Sequence, residues 1–160
     1  MPFDGIISYF TNKYSGNVSK TKTIPITASG NLWNSPDVVA DFDSTDFWVS
    51  ENSPDSWIAF DFKEHMINLT SYTIRGDNTG SLCNWVIEGS NNMVKWNEID
   101  RHESCNDLNG LYASKTYHVN TNQKYRYIRL RQIGPDINNE NYLTLCCLEF
   151  FGSLSTNFDF

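Results

Sequence analysis

Residues Asn84–Asp100 read NWVIEGSNNMVKWNEID. On either side of an Asn-rich centre, apolar and polar residues alternate with the period of a half-buried strand. The stretch is a hairpin, with NWVIEGS and KWNEID paired around NNMV. Trp85 and Ile87 fall on one face of the first strand and Val86 on the other, while Trp96 and Ile99 lie on its partner. Such a stretch can be read in two ways. Exposed Trp and Asn make sugar-binding surfaces, whereas a buried Trp beside a tight turn belongs to a β-scaffold. Asn side chains bind their own backbone in turns. Asn91 and Asn92 are therefore assigned to turn chemistry, and both tryptophans are expected in the interior.

The same grammar runs outward from the hairpin. SWIAFDF alternates, with Ile58, Phe60 and Phe62 on one face and Trp57, Ala59 and Asp61 on the other. KTKTIPITAS and INLTSYTIRG precede the hairpin as strands; SKTYHV, KYRYIRLRQI and NYLTLCCLEFFG follow it. In KYRYIRLRQI, Ile128 and Leu130 should face in, and Tyr127, Arg129 and Arg131 out. SPDVVADF is expected to open with a helical turn, Ser35 as its cap and Pro36 at its first position. About eight short strands separated by turns describe an all-β, antiparallel β-sandwich. Aromatic content of 14% in 160 residues suits half-buried pleated surfaces. The organisation read is one sandwich over 20–152, an N-terminal lead-in over 1–19 packed on it, and a tail over 153–160.

Strand parity sorts the loops. If successive strands run antiparallel, the short segments 63–67, 91–94 and 120–124 share one end. The longer segments 50–55, 77–83, 101–113 and 134–141, with 30–36, share the other. Rigid scaffolds tend to carry binding residues on such loops, so the long-loop end is the candidate working face. It carries Trp33, Asn52, Asp77, Asn78, Leu82, Arg101, His102, Arg131, Gln132, Asn138 and Tyr142. A sugar site needs a flat ring for the pyranose face and polar groups for its hydroxyls. Trp33 either supplies that ring or folds back over the core. Arg131, Asn78 and Asn138 could supply hydrogen bonds, unless Arg131 pairs with a nearby carboxylate instead.

The net charge of -7 narrows the partners. Nucleic acids and anionic lipids are bound through Lys and Arg, so neither is expected; protein partners, neutral glycans and divalent cations remain. Leu32, Trp33 and Leu82 could act as apolar loop tips on a membrane, but the charge opposes docking. No stretch reaches the length of a membrane span, and MPFDGIISYF lacks the charged and apolar regions of a secretory signal. The sequons at Asn17 and Asn68 are read as chance occurrences. The four cysteines, Cys83, Cys105, Cys146 and Cys147, are read as reduced thiols in an intracellular setting. A Cys83–Cys105 bridge is the alternative. Adjacent residues on a strand point to opposite faces, so Cys146 and Cys147 should not serve one bridge or one metal. His65, His102 and His118 are scattered over both ends, and no nucleophile–base or HExxH spacing is present, so catalysis is not expected.

The order of SWIAFDF, NWVIEGSNNMVKWNEID, YRYIRLRQIG and LEFFG resembles the discoidin, or F5/8 type C, domain family. The resemblance covers residues 20–152, and FDGIISYF resembles the lead-in of protist discoidin-like proteins. It implies an eight-stranded jelly roll with galactose-binding-domain-like topology. It also implies a binding module without chemistry of its own, which takes glycans, phospholipid surfaces, collagen or proteins at one end. Extracellular members often join their termini by a disulfide, and no cysteine lies near either terminus here. Glycan-binding members often carry A-x-D-G-x-x-x-T-x-W, where a structural cation binds with help from a last-strand Glu. VADFDSTDFW keeps Asp41 and Trp48, replaces the Gly by Phe42 and the Thr by Asp46, and Glu149 matches the last-strand Glu. The resemblance thus implies a structural Ca²⁺ held by Asp41, Asp46 and Glu149; the other reading is a solvated acidic turn capped by local hydrogen bonds. No other cofactor is implied. Two functions follow as expectations: a lectin-like carbohydrate-binding module, or an intracellular protein-interaction adaptor within a larger protein.

Overall fold

The computed structural model describes residues 2–156. The lead-in forms a helix, α1 (Ile6–Tyr14). Ten strands follow: β1 (Ile26–Ala28), β2 (Trp48–Val49), β3 (Trp57–Asp61), β4 (His65–Arg75), β5 (Trp85–Ser90), β6 (Asn97–His102), β7 (Ser114–His118), β8 (Tyr127–Gln132), β9 (Thr144–Leu145) and β10 (Cys147–Thr156). Every pairing is antiparallel. One sheet has the order β1-β3-β8-β5-β6 and the other β10-β4-β7; the two-residue strands β2 and β9 make a third, small sheet. The fold is the expected jelly-roll sandwich. Among the described residues there are ten strands against the eight expected: β2 is too short to show a period of two, and the bend at residue 146 divides the expected last strand into β9 and β10.

Alternation places the core as the sequence pattern predicts. Ile58 and Phe60 of β3, Trp85 and Ile87 of β5, and Ile128 and Leu130 of β8 are fully buried, facing Tyr72 and Ile74 of β4 and Leu148 and Phe150 of β10. The Phe60 and Phe150 rings meet edge-on at 4.9 Å across the sheets. Trp85 buries its ring and donates its indole N–H to the Tyr72 hydroxyl at 3.0 Å; that hydroxyl donates to Asp100 at 2.7 Å. Burial and the neighbouring Asp100 carboxylate push the Tyr72 phenol well above its usual range.

Trp96 departs from expectation. It sits just before β6, half-buried on the outer face, with the Arg129 guanidinium 4.0 Å over its ring. The hairpin shifts register between Ile87 and Glu88, so the inward set of β5 does not carry across to Trp96. The turn behaves as read: the Ser90 hydroxyl accepts the N–H of Met93, and Asn92 accepts those of Val94 and Lys95. The turn over Pro36–Ala40 forms as a 3-10 helix, though Ser35 caps it with no side-chain bond.

α1 buries Ile6, Ile7 and Phe10 in the common core. Its N-terminus is closed from β10: the Glu149 carboxylate, fully buried, accepts the N–H groups of Gly5, Ile7, Ser8 and Phe150 at 2.8–3.0 Å. Free N–H groups at a helix start attract an anion. Burial nevertheless holds the Glu149 carboxyl above the usual range, against the pull of those four donors. β10 runs to Thr156, past the expected end at 152, across a bulge between Phe151 and Gly152; residues 157–160 of the tail lie outside the described residues.

All four cysteines are free, including Cys83 and Cys105. Cys146 and Cys147 do not point apart: their Sγ atoms lie 3.5 Å from each other. Strand alternation fails there because residue 146 is a bend between β9 and β10.

Candidate functional site

Hydrogen bonds confirm that the long loops meet at one end. Asn141 N–H donates to the Asn52 side chain at 2.8 Å, Ile137 N–H to the Ser81 carbonyl at 3.0 Å, Cys105 N–H to the Cys83 carbonyl at 2.9 Å and Tyr112 N–H to the Asp77 carbonyl at 3.0 Å. Leu32 N–H reaches the Val49 carbonyl at 2.9 Å, which brings in the 30–36 segment. Two buried carboxylates shape individual loops. Asp77 accepts the N–H groups of Thr79 and Gly80, and Asp136 those of Asn138 and Glu140. Gly80 is required where it stands: its φ is 64°, and a side chain would run into Leu108 and Gly110.

Between these loops lies an open cleft of about 330 Å³. Its walls include Leu32, Asp77, Asp136, Asn138, Glu140 and Tyr142. No Lys or Arg contributes to its lining. Trp33 stands at its edge, paired through its backbone with Val49 of the cleft wall. The residue is 60% exposed, as Leu32 is at 61%, so Trp33 does not fold back over the core.

A family model for the F5/8 type C domain matches residues 11–147. The chain belongs to the F5/8 type C domain family. Its fold is similar to that of the CBM32 module of AlyQ, solved with 4,5-unsaturated mannuronic acid: 19% identity, TM-score 0.67, covering 80% of this chain and 94% of that one. A CBM32 module of Clostridium perfringens, CpGH89CBM32-5, solved with GalNAc-beta-1,3-galactose, is similar at 14% identity and TM-score 0.64, covering 82% and 96%. CBM32-3 from a family 31 glycoside hydrolase of the same organism gives 17% identity and TM-score 0.67, covering 83% and 93%. Among curated proteins, the E3 ubiquitin-protein ligase Ufd4 of Drosophila melanogaster is 28% identical over 111 residues. The match covers 64% of this chain but only 4% of that protein.

Within this F5/8 type C domain, the residues singled out from the sequence part company. Asp77, Asn138 and Tyr142 line the cleft, with Trp33 beside it; Asn78 is exposed next to Asp77, and Asn52 ties two loops together. Leu82 is no loop tip: it is 2% exposed and belongs to the core. Arg101 lies on β6, at the edge of the five-stranded sheet, where it pairs with Glu98 and Glu103 at 2.8 and 2.7 Å. Arg131 is held on the outer face of β8 by Glu88 at 2.9 Å and Asp55 at 2.7 Å, so its guanidinium is already engaged. Burial works to raise the Glu88 carboxyl, but hydrogen bonds from Arg131 and Arg129 outweigh it and hold the group below the usual range. His102 stacks on Trp85 at 4.6 Å with its Nε2 on Asp100 at 2.9 Å, and takes no part in the cleft.

The implied cation trio does not assemble. Glu149 is turned under α1, while Asp41 and Asp46 are exposed on the coil that follows the 3-10 turn. Among the described residues, no three His, Cys, Asp or Glu side chains converge on a metal position. Phe42, in the place of the family's Gly, instead packs against Phe3 of the lead-in at 5.0 Å. Asp136, Glu140, Thr79 and Ser81 of the cleft were missed from the sequence. The run PDINNE carried the signal for Asp136, an acidic residue placed to accept the N–H groups two and four positions later.

Proposed function

We propose that this chain is a non-catalytic recognition module that binds neutral glycans at the long-loop end. One observation carries the reading: an open cleft lined by hydroxyl, amide and carboxylate groups adjoins, through Leu32 and Val49 of its wall, an exposed Trp33. The ring offers an apolar platform for a sugar face, and Asn138, Tyr142 and Glu140 offer hydrogen-bonding groups for its hydroxyls. Sugar-bound CBM32 structures of the same fold support the class of ligand. The cleft's carboxylates, unrelieved by any lining Lys or Arg, oppose an anionic sugar such as a uronate. A glycan array followed by calorimetry tests the proposal. The expected outcome is binding of a neutral sugar that Trp33→Ala abolishes, with uronate-bearing glycans weaker. No sugar above background would end it.

A second reading is a protein-interaction module within a larger intracellular protein. The similarity to a segment of Drosophila Ufd4 favours it, as do four free thiols, which persist in a reducing compartment. Here the exposed Leu32, Trp33 and Ile137 would form the apolar centre of an interface. Pull-downs with wild type and with Trp33→Ala separate the two readings. A partner lost with Trp33, together with a blank glycan array, selects the second.

A further inference from the structure

The vicinal thiols of Cys146 and Cys147 lie outside the binding surface of both readings above. The bend at residue 146 brings the two Sγ atoms to 3.5 Å, and both residues are fully buried. Above them lies the coil joining the 3-10 turn to β2: the Ser44 carbonyl is 3.8 Å from Cys146 Sγ and the Asp41 carbonyl 3.9 Å from Cys147 Sγ. The Arg75 guanidinium, 3.6 Å from Cys147 Sγ, borders an open cavity of about 570 Å³ whose walls include Phe3, Asp41, Phe42 and Asp43. The coil, which exposes Asp41, Asp43, Thr45 and Asp46, sets carbonyls over both sulfurs. Displacing it would uncover both sulfurs together.

Two sulfurs at this separation match the bite of a chelated soft centre. Bonds of about 2.3 Å, as in zinc thiolates, would subtend an angle of roughly 100°. The same closeness works against a disulfide, whose usual Cα separation of about 4.4–6.8 Å exceeds the about 3.8 Å of adjacent residues. We propose that Cys146 and Cys147 form a dithiol site for soft, thiophilic centres, with trivalent arsenicals as the class that two sulfurs alone can hold. With an organoarsenic(III) oxide, both S–H bonds break, two As–S bonds form, and the oxide leaves with the two protons as one water. No oxidation state changes. Because the reaction needs no third protein ligand, it suits a pair with no carboxylate or imidazole converging on it.

The test is phenylarsine oxide added to the intact, folded chain. Intact mass should show one adduct equal to the chain plus the phenylarsenic unit less two hydrogens. A dithiol such as 2,3-dimercaptopropanol should strip it, while an equal concentration of glutathione thiol should not. Tryptic mapping locates the adduct without any substitution: residues 132–160 contain no Lys or Arg and hold both Cys146 and Cys147, while Cys83 and Cys105 fall on other peptides. Cys146→Ala and Cys147→Ala should each abolish the stable adduct, and Cys83→Ser with Cys105→Ser should keep it. Arsenic on any peptide other than 132–160, or no adduct on the wild-type chain, overturns the proposal.

Discussion

The two ends of the sandwich are built from different materials. At the short-turn end, side chains are committed to contacts within the fold. Gly89 lies so close under the Tyr125 ring that no side chain fits at that position. Asn91 bonds both the Lys124 carbonyl and the Arg126 N–H, and Arg126 grips Asp61 with two N–H groups at 2.9 and 3.1 Å. At the long-loop end, backbone bonds and the carboxylates of Asp77 and Asp136 hold the chain, while Leu32, Trp33 and Ile137 stay exposed. A recognition surface profits from that division: the loops are ordered before the ligand arrives, so binding costs less ordering entropy, and the projecting side chains remain uncommitted.

The comparison is broken most severely at Trp85. Removing this fully buried ring leaves a cavity between the sheets and takes the indole donor from Tyr72. Trp85→Ala should cost about 3–5 kcal/mol in chemical denaturation, yet sugar binding should survive where the variant remains folded. A loss of binding in the folded variant would mean that the two ends are coupled through the core.

Glu88 tests the sheet that joins the ends. Its carboxylate, 7% exposed, accepts from Arg129 at 3.0 Å and Arg131 at 2.9 Å. Glu88→Gln should destabilise by about 2 kcal/mol at neutral pH. The pH dependence follows from the lowered native value. The unfolded chain takes up this proton near the ordinary Glu value of about 4.3, and the native state only at lower pH. The contribution is therefore complete above about pH 5 and is lost as pH falls through the native value. Stability measured from pH 6 down to 2 should fall less steeply in Glu88→Gln than in wild type. Parallel curves would remove Glu88 from the account.

The fold was largely legible because alternation is a local signal. SWIAFDF and YIRLRQ declare their buried faces residue by residue, and strand parity then gathers the loops. What stayed hidden depends on contacts distant in sequence. Glu149 reads as a cation ligand until α1, more than 140 residues away in the chain, brings its N–H groups onto the carboxylate. Arg131 stays open between ligand and carboxylate in the sequence, and only the placing of Asp55 and Glu88 around it decides for the carboxylates. Leu82 reads as a loop tip because composition does not say which loop residues turn inward. Cys146 escaped because a single bend reverses the alternation on which its orientation was judged.

Trp96 sharpens the contrast by lying between its extremes. It is half-buried, with Arg129 over its face, so Trp96→Ala should cost about 1–2 kcal/mol, mostly the cation–π contact and partial burial. A cost equal to that of Trp85→Ala would place the ring in the core after all.

Trp33 marks the opposite limit. With the residue 60% exposed, Trp33→Ala should leave stability within about 0.5 kcal/mol of wild type, because the backbone pairing with Val49 does not depend on the side chain. Its effect should appear in recognition alone: calorimetry against the neutral sugar found by array should show binding lost, while Trp33→Phe, which keeps a smaller flat ring, should retain part of it. Stability and binding falling together would show that Trp33 holds the loops in place. Binding lost at unchanged stability would identify it as the platform on which the ligand rests, and only a residue that the fold does not need can give that result.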